Sequence, residues 1–154
     1  MKTIRDVLTG RSAVTVAGSA TVLEAATLMA GAHIGALIVV NSKGLSGIFT
    51  ERDLMIRVVV AGLDPKKTAV SKVMSPDVYS VGPEERINQV ARELQARHIR
   101  HVPVVEKRKV LGMLSLRDLL REHLSVKRGE VAALTAYIQG EGDAAHAPDE
   151  SPAD

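Results

Sequence analysis

The sequence predicts an α/β protein (α+β) built from two copies of one β-α-β-β-α unit. When the chain of 154 residues is shifted along itself, Gly47 falls on Gly112, and an offset of 65 residues superposes the two halves without a gap. Short β-branched runs alternate with amphipathic runs in each half. Apolar residues make up 45% of the chain and charged residues 25%, as in folded globular proteins.

The repeat pairs polar positions as well as apolar ones. His33 falls on His98, and the sequence of residues 52–54, Arg-Asp-Leu, recurs at 117–119. We expect the two histidines to cap the ends of their helices. Since a copy of roughly 50 residues is marginal as an isolated domain, we expect the copies to pack together as an intramolecular pair.

The first copy opens with a strand and a helix. Ala13–Val16 is short, β-branched and bounded by glycines, which predicts a strand. Thr21–His33 has apolar residues at helical spacing. Thr21 and Glu24 have the spacing of a capping box, which marks the start of this helix.

The first copy closes with a hairpin and a second helix. The apolar run Ala36–Val40 predicts a buried strand, and the turn residues 41–44 lead into a further strand, Leu45–Phe49. A helix is predicted over Glu51–Ala61, ending before Gly62.

The second copy repeats this order, and the repeat defines the domains. Its predicted elements are a strand Val78–Val81, a helix Pro83–Arg97, strands Val102–Val105 and Val110–Leu114, and a helix Arg117–Leu124. The predicted divisions are a first domain over 1–62, a linker over 63–72, a second domain over 73–125, a C-terminal helix over 126–138 and a disordered acidic tail over 139–154.

The charges favour anionic partners for the body of the chain. Residues 139–154 hold five of the 18 acidic residues and no Lys or Arg, whereas the whole chain has 20 basic residues. Aromatic residues are only 2% of the chain, which argues against a stacking platform for nucleic acid. Nucleic-acid binding through the basic body stays a minor alternative.

Several functional classes lack their sequence signatures. The chain has no cysteine, which excludes disulfides and thiolate chemistry and fits a cytoplasmic location. Its apolar runs are too short to cross a membrane. Phosphate-loop, dinucleotide-binding, metalloprotease and nucleophile-elbow motifs are missing. We therefore expect no catalytic residues, no metal site and no required cofactor.

The two copies agree in polar residues where the last strand meets the last helix. Each junction brings together a hydroxyl, a guanidinium and a carboxylate, namely Thr50, Arg52 and Asp53 in the first copy and Ser115, Arg117 and Asp118 in the second. A helix N-terminus suits a phosphate, and a carboxylate can accept hydrogen bonds from ribose hydroxyls. The same spacing also makes a capping box that needs no ligand, so the residues alone leave both interpretations open.

The repeat order, the doubled Gly-apolar-x-Thr/Ser-x-x-Asp signature and the strand Arg100–Val104 resemble a pair of CBS domains, or Bateman module, over roughly residues 5 to 125. The resemblance is to stand-alone bacterial CBS-pair proteins. It implies a compact pseudo-twofold pair, often within a homodimer. It further implies a regulatory module that binds AMP, ADP, ATP or S-adenosylmethionine and signals to an unknown protein partner. The alternative is a ligand-free structural dimer in which the signatures are only helix caps.

The resemblance also implies roles for individual residues. The ribose ligands are Asp53 and Asp118; the phosphate or ribose ligands are Thr50, Arg52, Arg100, His101, Ser115 and Arg117; and the adenine pocket candidates are Val14, Tyr79 and Ala36.

The two implied clefts differ in their expected lining. Each signature should face the middle strand of the other copy, so the Asp53 cleft should receive Arg100 and His101 and prefer the more phosphorylated ligand. The Asp118 cleft should receive only Gly35 and Ala36 and bind more weakly or remain empty.

Overall fold

The computed structural model describes residues 1–8 and 13–143. The helices are α1 (Ile4–Leu8), α2 (Val22–Ala32), α3 (Glu51–Asp53), a π-helix (Leu54–Val60), a 3-10 helix (Val70–Lys72), α4 (Ile87–Ala96) and α5 (Leu116–Asp143). The strands are β1 (Thr15–Ala17), β2 (Ala36–Asn41), β3 (Gly44–Thr50), β4 (His101–Glu106) and β5 (Lys109–Ser115). This order confirms the predicted mixed helix and strand class.

The two sheets differ by one strand. In the first repeat β1 runs parallel to β2, and β2 pairs with β3 in an antiparallel hairpin. In the second repeat β4 and β5 form the same hairpin. The predicted strand Val78–Val81 is wrong, because among its residues only Val81 bridges, to Val104.

A proline explains the missing strand. Val81 N donates to Pro103 O at 3.1 Å, and Val105 N donates to Val81 O at 2.9 Å. The next bond of a parallel ladder would need an N–H at position 103, which proline lacks. Ile38 holds the equivalent position in the first repeat, and its N–H donates to Val14 O at 3.4 Å.

The repeats match down to their backbone irregularities. The register of each hairpin shifts at the same point, between Val39 and Val40 and between Val104 and Val105. The φ angles at His33 and His98 are 54° and 55°, so both histidines adopt the left-handed conformation that ends a helix. His33 is the C-cap of α2, as expected, whereas the C-cap of α4 is Arg97 and His98 follows it.

The segments that precede the two repeats are exchanged between their cores. The segment before the first repeat packs in the second, and the segment before the second repeat packs in the first. Ile4 and Val7 of α1 are buried in the core of the second repeat, and Ile4 N donates to Glu85 O at 2.9 Å. Val70 and Val73 are buried in the core of the first repeat. The N-terminal segment, assigned to the first domain from sequence, thus packs on the second, and the end of the predicted linker packs on the first.

The two closing helices differ from their predicted form. After one α-helical turn, the helix predicted over Glu51–Ala61 continues as the π-helix, which buries Val58 and leaves Val59 exposed. In the second repeat, the helices predicted over Arg117–Leu124 and 126–138 form one continuous α5, because no proline interrupts them and a single Gly129 is tolerated in a helix.

Part of the predicted tail over 139–154 is helical. Residues 139–143 are the end of α5, and residues 144–154 lie outside the described part of the chain. None of the described helices is both long and apolar enough to cross a membrane.

The segment that joins the repeats runs on to Ser75 in the structure and is called the linker from here on; a glycine in β3 lets it join the first sheet. Ile48 and Ser75 exchange backbone hydrogen bonds of 3.0 and 2.8 Å. A Cβ on the neighbouring Gly47 would lie 2.6 Å from Met74 Sδ and 2.7 Å from Ser75 O. Any larger residue at position 47 would therefore push the linker away from β3.

We predict that Gly47→Ala lowers the free energy of unfolding by about 1 to 3 kcal/mol, the cost of overpacking a close contact. Gly31→Ala is the matched control, because no heavy atom lies within 4 Å of its Cβ position in α2. It should raise stability by about 0.5 to 1 kcal/mol. Chemical denaturation followed by circular dichroism measures both changes, and equal stability of the two variants would contradict the packing argument.

Candidate functional site

Both strand-to-helix junctions form the capping box that their spacing predicts. Thr50 N and Oγ1 donate to Asp53 Oδ2 at 3.0 Å each, and Asp53 N donates to Thr50 Oγ1 at 3.1 Å. Ser115 N and Oγ donate to Asp118 Oδ2 at 3.1 and 2.7 Å, and Asp118 N donates back at 3.1 Å. Each cap uses Oδ2 of its carboxylate, so the capping role does not exclude a ligand at Oδ1.

A large cavity lies between the repeats beside Asp118. Its volume is about 1350 Å³, which exceeds that of most small-molecule pockets. The first repeat contributes Ala13, Val14, His33, Ile34, Gly35 and Ala36, and the second contributes Arg100, His101, residues 113–118 and five residues further along α5. Because both repeats line it, the cavity exists only when they are packed together.

The hairpin of the second repeat places Arg100 and His101 in this cavity. His101 pairs with Ser115 across β4 and β5, and Leu116 N donates to Arg100 O at 2.8 Å. The structure therefore groups both residues with Asp118, not with Asp53 as expected. Gly35 and Ala36 lie opposite them, as expected for the Asp118 side. The prediction that Arg100 and His101 lie apart from Asp118 is wrong. Because β4 pairs with β5 of the same repeat, the start of β4 lies beside the Ser115–Asp118 junction.

The Asp53 junction has different surroundings. Neither of the two cavities described includes Thr50, Arg52 or Asp53 among the described residues. Asp53 is buried, and its Oδ1 lies 3.6 Å from Arg57 Nε. Arg57 Nη1 also donates to Met74 O at 2.8 Å. One arginine thus ties this carboxylate to the linker.

The second repeat has an acid where the first has Arg57. The equivalent residue is Glu122, whose Oε2 lies 2.8 Å from Lys2 Nζ. The two junctions thus differ in charge at the position four residues after the carboxylate.

Two of the three adenine-pocket candidates line the large cavity. Val14 and Ala36 belong to its apolar side. Tyr79 does not line it, but packs against the core of the second repeat, with the guanidinium carbon of Arg97 4.6 Å from its ring centroid. Because it is engaged in this cation–π contact, Tyr79 acts as a packing residue.

Guanidinium groups dominate the charge of the cavity. Among the described residues that line it, Arg100, Arg117, Arg121 and Arg128 are cationic, and Asp118 is the carboxylate. Sequence analysis missed Arg121, which lies outside the repeated signature, and Arg128, which falls in the separately predicted helix over 126–138. The spacing of positions 117, 121 and 128, which places them on one helix face, could have revealed both.

The cavity shifts the pKa of His101, one of the residues that line it. Burial lowers the pKa of His101 below its ordinary value of 6.5; Asp118 and Glu51 raise it, and Arg100 lowers it. The burial effect is the largest, so the neutral imidazole is favoured. The described residues contain no cluster of three or more histidines and acids that could hold a metal ion.

The profile of one known domain family matches this chain twice, once in each repeat. The profile of the CBS domain matches residues 4–60 and again residues 70–125. The CBS domain-containing protein CBSX3, mitochondrial, of Arabidopsis thaliana is 34% identical over 125 residues, which cover 78% of this chain. The chain spans 61% of the length of that relative.

Solved structures share the fold. A protein with CBS domains from Burkholderia ambifaria superposes with a TM-score of 0.74 and 32% identity, covering 80% of this chain and 95% of the other. The CBS domain pair of protein MJ0100, solved in complex with 5-methylthioadenosine and S-adenosyl-L-methionine, superposes with a TM-score of 0.71 over 81% of this chain and 98% of the other. At 24% identity this second likeness shows the fold alone.

We predict that His101 makes the folded state less stable in acid. Its pKa is lower in the folded state than the ordinary 6.5, so the unfolded state binds more protons. Stability should fall as the pH drops below about 6.5 and level off below the lowered pKa. Denaturation at about pH 7.5 and about pH 5.5 measures this loss.

His101→Gln is the matched variant for this test, because it removes the titration and keeps a neutral polar side chain. The loss between the two pH values should be smaller in the variant than in the wild type. An equal loss in both proteins would show that other groups carry the acid sensitivity.

Proposed function

Since this chain belongs to the CBS domain family, we propose that it is a non-catalytic regulatory module that binds an adenosine-containing ligand in the cavity beside Asp118. The observation that carries the proposal is the grouping of Asp118 with cationic side chains in a cavity between the repeats. A carboxylate can hold ribose hydroxyls, and guanidinium groups bind phosphate through paired hydrogen bonds.

The proposed orientation of the ligand follows the polarity of the cavity walls. The adenine lies against Val14 and Ala36, where small and apolar residues leave room for a ring. The ribose lies at Asp118, whose cap with Ser115 holds the carboxylate in place. The phosphate end then meets the guanidinium of Arg117 and the start of α5, where backbone N–H groups favour anions.

Arg100 and His101 extend the phosphate end of the proposed site. Both come from the start of β4, next to Ser115 across the hairpin. With four arginines among the described lining residues, a nucleotide phosphate complements the charge of the cavity better than the cationic sulfonium of S-adenosylmethionine. The MJ0100 pair, which shares this fold, was solved with two adenosine-containing compounds, and this is the ligand class that we propose to test.

The Asp53 junction serves a structural role in this proposal. Its carboxylate already has the cap with Thr50 and the contact with Arg57. Asp53 is therefore the internal control for Asp118, because both residues make the same cap.

We propose a homodimer as the working form, with a partner protein that responds to the bound ligand. The closing helices expose large apolar side chains at equivalent positions of the repeats: Met55 and Val59 in the first are 55% and 69% exposed, and Leu120 and Leu124 in the second are 44% and 57% exposed. Exposed apolar patches of this kind mark interaction surfaces. Leu120 and Leu124 also line the cavity, so a partner on this face would adjoin the ligand.

Asp118→Asn is the variant that tests the ligand site. We predict that it weakens binding of AMP or ATP about tenfold or more, because it removes the charge and one acceptor for the ribose hydroxyls. An amide oxygen remains to accept from Ser115, so the cap persists. Isothermal titration calorimetry with wild type and variant measures the change.

Asp53→Asn is the matched control for that titration. It makes the same change at the equivalent cap and should leave nucleotide affinity within about twofold of the wild type, as expected for a substitution outside the site. Equal losses in the two variants would contradict the assignment to Asp118. No binding of any adenosine compound by the wild type would instead favour a ligand-free structural dimer.

Val59→Glu tests the dimer face. The added charge should convert a dimer into a monomer in light scattering, because burying an unpaired carboxylate at an interface is unfavourable. The stability of the isolated chain should change little, since Val59 is 69% exposed. A monomeric wild type, or a variant that stays dimeric, would contradict the proposal.

A further inference from the structure

The cavity extends along α5 beyond the proposed ribose position. Arg117, Arg121 and Arg128 line it from one face of this helix, at spacings of four and seven residues. The CBS domain profile ends its second match at residue 125. Arg128 is therefore a cavity residue that lies beyond the part of α5 covered by the profile.

Two of the arginines on this face are not held by an ion pair. Arg121 and Arg128 are exposed to solvent. In the described stretches of the chain, 1–8 and 13–143, neither takes part in an ion pair. Cations that lie together on one wall repel one another unless an anion joins them. An anionic group in the cavity would remove this repulsion.

The spacing along the helix indicates how far the anionic group extends. At 1.5 Å per residue, Arg121 lies about 4.5 Å along the axis from Asp118, and Arg128 lies about 15 Å from it. Helical side chains lean towards the N-terminus, so Arg128 reaches back towards the ribose position. A single phosphate at the ribose lies within the range of Arg117 and Arg121, whereas Arg128 requires a longer chain.

Building on the proposed function, in which Asp118 holds a ribose, we infer that Arg121 and Arg128 form a polyphosphate subsite that makes the cavity select nucleoside di- and triphosphates over monophosphates. Arg121 binds the middle of the phosphate chain, and Arg128 binds its terminal phosphate. Guanidinium groups suit this task because their paired N–H donors match phosphate oxygens.

Arg128→Gln tests the subsite in the full-length chain. Gln is a good helix former, and Arg128 is exposed, so folding should be unaffected. In calorimetry at about 150 mM salt, the wild type should bind ATP more tightly than ADP and ADP more tightly than AMP. The variant should lose about tenfold in ATP affinity, as expected for one charge-assisted contact, and less than about twofold in AMP affinity.

Lys127→Gln is the matched control. It removes one positive charge from the neighbouring position of α5, which does not line the cavity, and should leave ATP affinity unchanged within about twofold. An equal effect of both variants would overturn the inference, since net charge alone would then explain it. An Arg128→Gln variant that weakens AMP as much as ATP would overturn it as well.

Inorganic tripolyphosphate separates this inference from the proposed function. We expect it to bind the wild type, to bind Arg128→Gln more weakly, and to bind Asp118→Asn at least as tightly as the wild type, because loss of this carboxylate removes a repulsive charge. This pattern supports the subsite even if adenosine compounds do not bind. The opposite pattern is also informative. If Asp118→Asn weakens AMP binding but Arg128→Gln changes the affinity for neither ATP nor tripolyphosphate, the proposed function stands and the subsite is overturned.

Discussion

The exchange of core segments between the repeats is the contact on which the rest of the structure depends. Ile4 and Val7 complete the core of the second repeat, and Val70 and Val73 complete that of the first. Because about 50 residues bury too little apolar surface for independent stability, each repeat needs the segment supplied to it. The cavity follows from this arrangement, since its walls come from both repeats.

The two strand-to-helix junctions have the same local chemistry but different surroundings. The Thr50–Asp53 and Ser115–Asp118 caps are almost identical in geometry. Asp53 then meets Arg57, which ties it to the linker, while Asp118 faces the cavity. The local pattern creates each carboxylate and its cap, and the neighbouring elements decide what surrounds it.

Helix α5 connects the cavity to the outside of the module. It packs on α4, where His123 Nδ1 lies 2.6 Å from Asn88 Oδ1, and residues from Leu116 to Arg128 line the cavity. Further along, Val131 and Leu134 are 63% and 62% exposed. A ligand in the cavity would therefore contact the same helix whose later turns expose apolar side chains to solvent.

The sequence by itself determined the repeat, the order of the elements and both capping boxes, because periodicity, turn residues and cap spacing are local properties. Only the tertiary structure decided the rest. The strand expected at Val78–Val81 is absent because of Pro103, a residue distant in sequence that lacks the donor the ladder needs. Arg100 and His101 join Asp118 because of strand register, and Arg128 reaches the cavity because α5 continues. These outcomes depend on which elements meet in space, and a linear pattern does not contain that information.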